Sequence, residues 1–170
     1  AGAAMTLAYQ AFRGLNESIG GGWVARAGRL LADLRESGAH AWLQLLTTVG
    51  VLQQSQFEAG IALADQAMAT ARRHGNRDAL YMAMSFKGLG QVFTGDWQAG
   101  MANIDEAAAA ASSGQLGLRW ASDIYCQTIS ACRSVGDLQR AGQWAAEGER
   151  WIAHAPRSLV VASVHAEQQR

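Results

Sequence analysis

An all-α fold, built as a stack of four antiparallel helix pairs with one further helix at the end, is predicted by three observations. Trp97, Met101, Ile104, Ala108 and Ala111 recur at helical steps of four and three, which places them on one stripe of an α-helix. The same stripe returns as Phe57, Ile61, Ala64, Met68 and Ala71, and begins again as Trp23, Ala27, Leu30 and Leu34. A stripe that comes back at intervals of roughly 34 to 41 residues marks a stacked repeat. Finally, the chain of 170 residues holds one proline and is rich in alanine. Nearly all of it is therefore free to be helical.

The first pair runs over about residues 5–37: a helix from Thr6 to Leu15, a turn over Asn16 to Gly22 with its three consecutive glycines, and a helix from Trp23 to Glu36 stopped by Ser37-Gly38. The second pair occupies 38–76. Trp42, Leu45, Val49 and Leu52 share a face of its first helix, Gln53 to Gln56 form the turn, and Phe57 to His74 is the second helix. Arg72, Arg73 and His74 offset the dipole in its last turn.

The third pair, 77–114, places Met82, Phe86, Leu89 and Phe93 on one stripe of a helix from Asp78 to Thr94, followed by Gln98 to Ser112. Gly88 and Gly90 disfavour that helix by up to about 1 kcal/mol each relative to alanine, which points to close approach of a neighbour. The fourth pair, 115–156, comprises Leu118 to Val135 and Leu138 to His154 and ends at Pro156. Residues 157–170 supply the terminal helix, over Ser158 to Gln169, suited to cap the stack.

Composition narrows the function. Fourteen basic and fourteen acidic residues give zero net charge and are spread over both halves, so neither direct nucleic-acid binding nor a membrane-surface role is expected. The absence of a run of about 20 apolar residues, and of a charged-then-apolar leader, predicts no membrane span and a cytoplasmic location. Cys126 and Cys132, six apart in one helix, are about 9 Å apart along its axis and read as reduced thiols.

Gly95-Asp96-Trp97 with Gly100, Ile104 and Ala107, preceded by Gly88, resembles the landmarks of tetratricopeptide repeats. Gly100 stands where that family usually has alanine, and Lys87 and Gln91 where it usually has core residues. Over Gly100 to Pro156, through Asp105-Glu106-Ala107, Ser122 to Cys126, Gly136-Asp137-Leu138, Gln143-Trp144 and Arg150-Trp151, the chain is similar to the tetratricopeptide-like region of actinobacterial LuxR-type transcriptional regulators and related signalling proteins. The resemblance implies a right-handed α-solenoid whose first helices line a concave surface.

No chemistry-bearing pattern stands against a binding role. His40, His74, His154 and His165 are scattered without metal-site spacing, Gly20-Gly21-Gly22 lacks the Lys-Ser/Thr of a phosphate loop, and no nucleophile–base pair has a local signature. The expectation is a non-enzymatic module without cofactor or metal that binds a protein or peptide. Its candidate residues are Trp42, Met82, Phe86 and Phe93 on the first helices of pairs two and three, with Arg119, Trp120, Asp123 and Arg133 in pair four. Two other readings stay open. One is a small-molecule sensor with an apolar cavity around Phe86, Phe93 and Cys126, and the other is self-association into a homo-oligomer.

Overall fold

The computed structural model describes residues 1–154 of the chain. Those residues form eight α-helices: α1 (Gly2–Arg13), α2 (Glu17–Leu31), α3 (Gly38–Gln53), α4 (Phe57–Arg73), α5 (Arg77–Phe93), α6 (Trp97–Ser112), α7 (Leu118–Ser134) and α8 (Leu138–His154). The terminal helix predicted over Ser158 to Gln169 and the break at Pro156 lie outside the described residues. None of the described helices is long and apolar enough to cross a membrane.

The helices belong to two compact units, one of residues Ala1–Ala107 and a second beginning at Ala108, so the division falls inside α6. In the first unit each helix from α1 to α5 packs on its neighbour in the chain, and α3 also touches α1 and α5. Leu45, Leu46, Ala64, Ala67, Met68, Ala71, Ala79, Met82 and Ala83 form its interior. In the second unit α7 packs on α8 around Ala121, Ile124, Tyr125, Thr128 and Cys132.

One joint recurs inside the helix pairs of the first unit. Gly20, fourth residue of α2, lies against the Phe12 ring, and Gly60, fourth residue of α4, lies against Leu52, so that a Cβ at either position would overlap the opposing side chain. At Gly100, fourth residue of α6, a Cβ would stand 2.7 Å from the carbonyl oxygen of Gly88 and 2.8 Å from Val92. Gly88 returns the contact, its own Cβ position lying 2.6 Å from the Gly100 oxygen. The expected close approach of a helix at Gly88 is thus present, and at Gly90 the approaching group is Ile61.

This joint explains why the glycine run is not the predicted turn. Gly20 to Gly22 lie within α2, which starts at Glu17, six residues earlier than the stripe suggested. Gly20 is needed under Phe12, and burial of that ring offsets the poor helix propensity of the run. The far end also differs, since α2 stops at Leu31 and Ser37-Gly38 begins α3 instead of ending α2. There Ser37 and His40 form a reciprocal capping box, with the Ser37 N–H donating to His40 Nδ1 at 3.1 Å.

The turns within pairs share one geometry. Leu15, Ser55, Gly95 and Gly136 each have positive φ and each stand two residues before the next helix, as does Gly75 between α4 and α5. The N–H of the following residue donates back to the last turn: Asn16 to Ala11 O at 2.9 Å, Gln56 to Val51 O at 3.2 Å, Asp137 to Cys132 O at 2.9 Å. These are the hydrogen bonds of a Schellman stop.

Polar pairs hold places that the tetratricopeptide pattern gives to core residues. Lys87 Nζ donates to Asp65 Oδ1 at 2.8 Å, and Gln91 Oε1 accepts from Asn103 Nδ2 at 2.6 Å. Longer-range ties include Gln53 Nε2 to the Phe12 carbonyl at 2.9 Å and Asn76 Nδ2 to the Gly38 carbonyl at 3.3 Å. Glu36 receives Arg73 through both carboxylate oxygens, at 3.0 and 2.9 Å, and sits 3.0 Å from His74 Nε2.

Candidate functional site

The clearest recognition feature in the first unit is an aromatic edge at the turn end of the third pair. Phe93 closes α5 and is 60% exposed, with its ring stacked on Phe57, the first residue of α4, at 5.1 Å between centroids. Trp97, across the Gly95 turn at the start of α6, is 56% exposed. Helix ends create this display. Each stripe begins at the first residue of its helix, one turn before Gly60 or Gly100 brings the paired helix close, so Trp97 stays exposed while Phe57 is half-buried beneath Phe93. Gln54, Ser55 and Gln56 before Phe57, and Thr94 before Trp97, supply uncharged polar neighbours. Asp96 accepts from the Ala99 N–H at 3.4 Å as the cap of α6.

The other sequence-predicted residues fall in different surroundings. Trp42 is half-buried against Ala41, Ala71 and Ala79, beside Leu80. Met82 is fully buried and has no surface to offer a partner, because its side of α5 faces the interior of the unit. Phe86 is half-buried. Of the four first-unit candidates, Phe93 alone is exposed. Phe57 and Trp97, which lead the two repeating stripes and are not among the candidates, lie at the same turn end, Phe57 stacked on Phe93 and Trp97 exposed.

In the second unit Arg119 lies over the Trp120 ring, its guanidinium carbon 4.9 Å from the centroid, close enough for a cation–π contact. Arg133 is exposed near the end of α7, while Asp123 is 6% exposed. Tyr125 packs between Trp144 and Trp151, at 6.3 and 5.6 Å between ring centroids, and rests against Gly148. Its hydroxyl is buried. Burial pushes the phenol pKa up, and the Glu147 carboxylate pushes it the same way.

Of the three residues named for a sensor cavity, Phe86 is half-buried in the first unit. Phe93 and Cys126 are at the surface, in the first and second units respectively. Among the described residues no three His, Cys, Asp or Glu side chains cluster to hold a metal ion. No family model, curated protein or solved structure matches this chain.

Proposed function

We propose that the chain is a tetratricopeptide-like helical binding module, an α-solenoid that recognises a protein or peptide by apolar anchors, and that it serves within a bacterial regulatory protein of the LuxR-like kind its sequence resembles. The observation that carries the reading is the exposed Phe93 ring stacked on Phe57 with Trp97 across the turn. Large, stiff side chains of this kind lose little entropy on contact and dominate recognition surfaces. The flanking Gln54, Ser55, Gln56 and Thr94 are uncharged and Glu58 and Asp96 are acidic, which favours an extended or helical segment bearing one or two large apolar side chains and no excess of negative charge. Support for the solenoid itself comes from the recurring joint at Gly20, Gly60 and Gly100 and from the shared turn geometry.

The test is to pan a displayed library of random peptides against the purified chain and to repeat binding with Phe93→Ala and Trp97→Ala. The expected result is enrichment of peptides with aromatic or aliphatic anchors whose affinity falls about tenfold or more in both variants, the loss of roughly 1.4 kcal/mol typical of an anchor residue. Absence of enrichment, or peptides indifferent to both substitutions, overturns the assignment of this edge.

A further inference from the structure

The edge formed by Phe93, Phe57 and Trp97 lies on a turn end whose charge has one sign. Glu58 follows Phe57 and Asp96 precedes Trp97, both exposed, and among the described residues neither stands in an ion pair. No Lys or Arg occurs between Arg35 and Arg72 or between Lys87 and Arg119. Lys87 is held by Asp65, and Arg72 stands at the far end of α4, about 22 Å along the axis from Phe57. On the first pair, Arg13 closes α1 and Glu17 opens α2, so that turn adds one charge of each sign.

Helix dipoles leave this negative charge in place. α3 and α5 end here with their negative poles and α4 and α6 begin here with their positive ones, so the half-charges cancel and the two carboxylates remain. The Trp97 ring is a second group without its complement. Trp23 has Arg26 and Trp120 has Arg119 over the ring, at 5.8 and 4.9 Å from the centroid. Both of those tryptophans are half-buried. Among the described residues no cation lies over Trp97, although it is the exposed one. An indole face attracts cations through its quadrupole, and the Asp96 carboxylate beside it adds to that attraction.

We propose that the segment bound at this edge is basic as well as apolar: a stretch of a partner protein in which Lys or Arg stands within about one helical turn of a large apolar side chain. The apolar side chain packs on Phe93. The cation lies over Trp97 beside Asp96, and Glu58 attracts a second basic residue on the Phe57 side. Acidic segments are repelled by the same two carboxylates. The inference rests on the peptide-binding reading of this edge and names the chemistry of its partner. Because both carboxylates are exposed, salt screens their share of the affinity and leaves the apolar share intact.

The test pans the random-peptide library in parallel against the chain and against its Glu58→Gln, Asp96→Asn double variant, in which asparagine keeps a capping oxygen for α6. Peptides enriched on the unaltered chain are expected to carry Lys or Arg within about four positions of their anchor, at about threefold or more above the library frequency. Those enriched on the double variant are expected to lack this excess. A synthetic peptide from the first set should bind about fivefold or more weakly when sodium chloride is raised from about 50 to about 500 mM, a measurement that needs no variant. Peptides that depend on Phe93 but show no basic excess, or whose affinity ignores salt, overturn this inference and leave the apolar reading standing. Absence of any enrichment overturns both.

Discussion

Phe12 seats on Gly20 between α1 and α2 as Leu52 seats on Gly60 between α3 and α4, and both pairs turn through a left-handed residue, Leu15 in one and Ser55 in the other. The internal joint is common to the two pairs, yet their outer faces are not alike. The stripe of α4 puts Ala64, Met68 and Ala71 in the interior, with α3 on one side and α5 on the other. The corresponding stripe of α2 buries Ala27 and leaves Leu30 in water, and Leu34 is exposed beyond the end of the helix. Periodicity therefore says that a helix has an apolar face, and where the neighbouring helices pack decides whether that face is covered.

Substitution at the shared joint gives the largest expected effect. Gly100→Ala drives a methyl group into the Gly88 carbonyl and the Val92 backbone, which cannot swing aside, and should destabilise the first unit by about 1–3 kcal/mol. A lower urea midpoint would register it. An unchanged midpoint would mean that α5 and α6 do not depend on close contact there.

Leu15→Gly should act in the opposite direction, since it removes left-handed strain. A gain of up to about 1 kcal/mol in urea or thermal unfolding is expected, and an unchanged midpoint would show that the turn carries no strain. Ser55→Gly should share the gain, because the two turns have the same geometry.

Gly21→Ala isolates helix propensity from packing, because its Cβ enters open space. Stabilisation of up to about 1 kcal/mol in thermal or urea unfolding is expected, against destabilisation for the same exchange at Gly100. Equal signs at the two positions would break the distinction between joint glycines and solvent-facing ones.

The smallest effect concerns the tie between the two pairs. Hydrogen bonds from Arg73 and then His74 lower the Glu36 pKa from 4.5 to about 2. A lowered carboxylate pKa stabilises the fold above the unfolded value, so this contribution is present at neutral pH and is lost as pH falls from 4.5 towards 2. Glu36→Gln should flatten the acid limb of a stability–pH curve slightly, because the ion pair is exposed to solvent. An unaltered limb would show that the tie carries no linkage.

Much of the chain was legible because helix stops are local chemistry. Gly75, Gly95 and Gly136 hold left-handed stops, and α3 to α8 begin and end within about two residues of the expected positions. The first pair was misread for an equally physical reason. Three glycines signal a turn unless something is packed against one of them, and the signal that would have shown this is the spacing itself: Phe12 to Gly20, Leu52 to Gly60 and Val92 to Gly100 are each eight residues apart and recur every forty. At the candidate site the aromatic residue types were legible, but exposure was not. Met82 and Phe93 lie on the same predicted stripe, one fully buried and the other largely in solvent.

By itself the sequence determined that the chain is helical and where most helices start and stop, because propensity, capping and the left-handed glycine are decided within a few residues. Tertiary structure alone decided which apolar faces are covered. Burial depends on which helices converge on a given face and where, and that is a property of the packed unit that no single stripe contains.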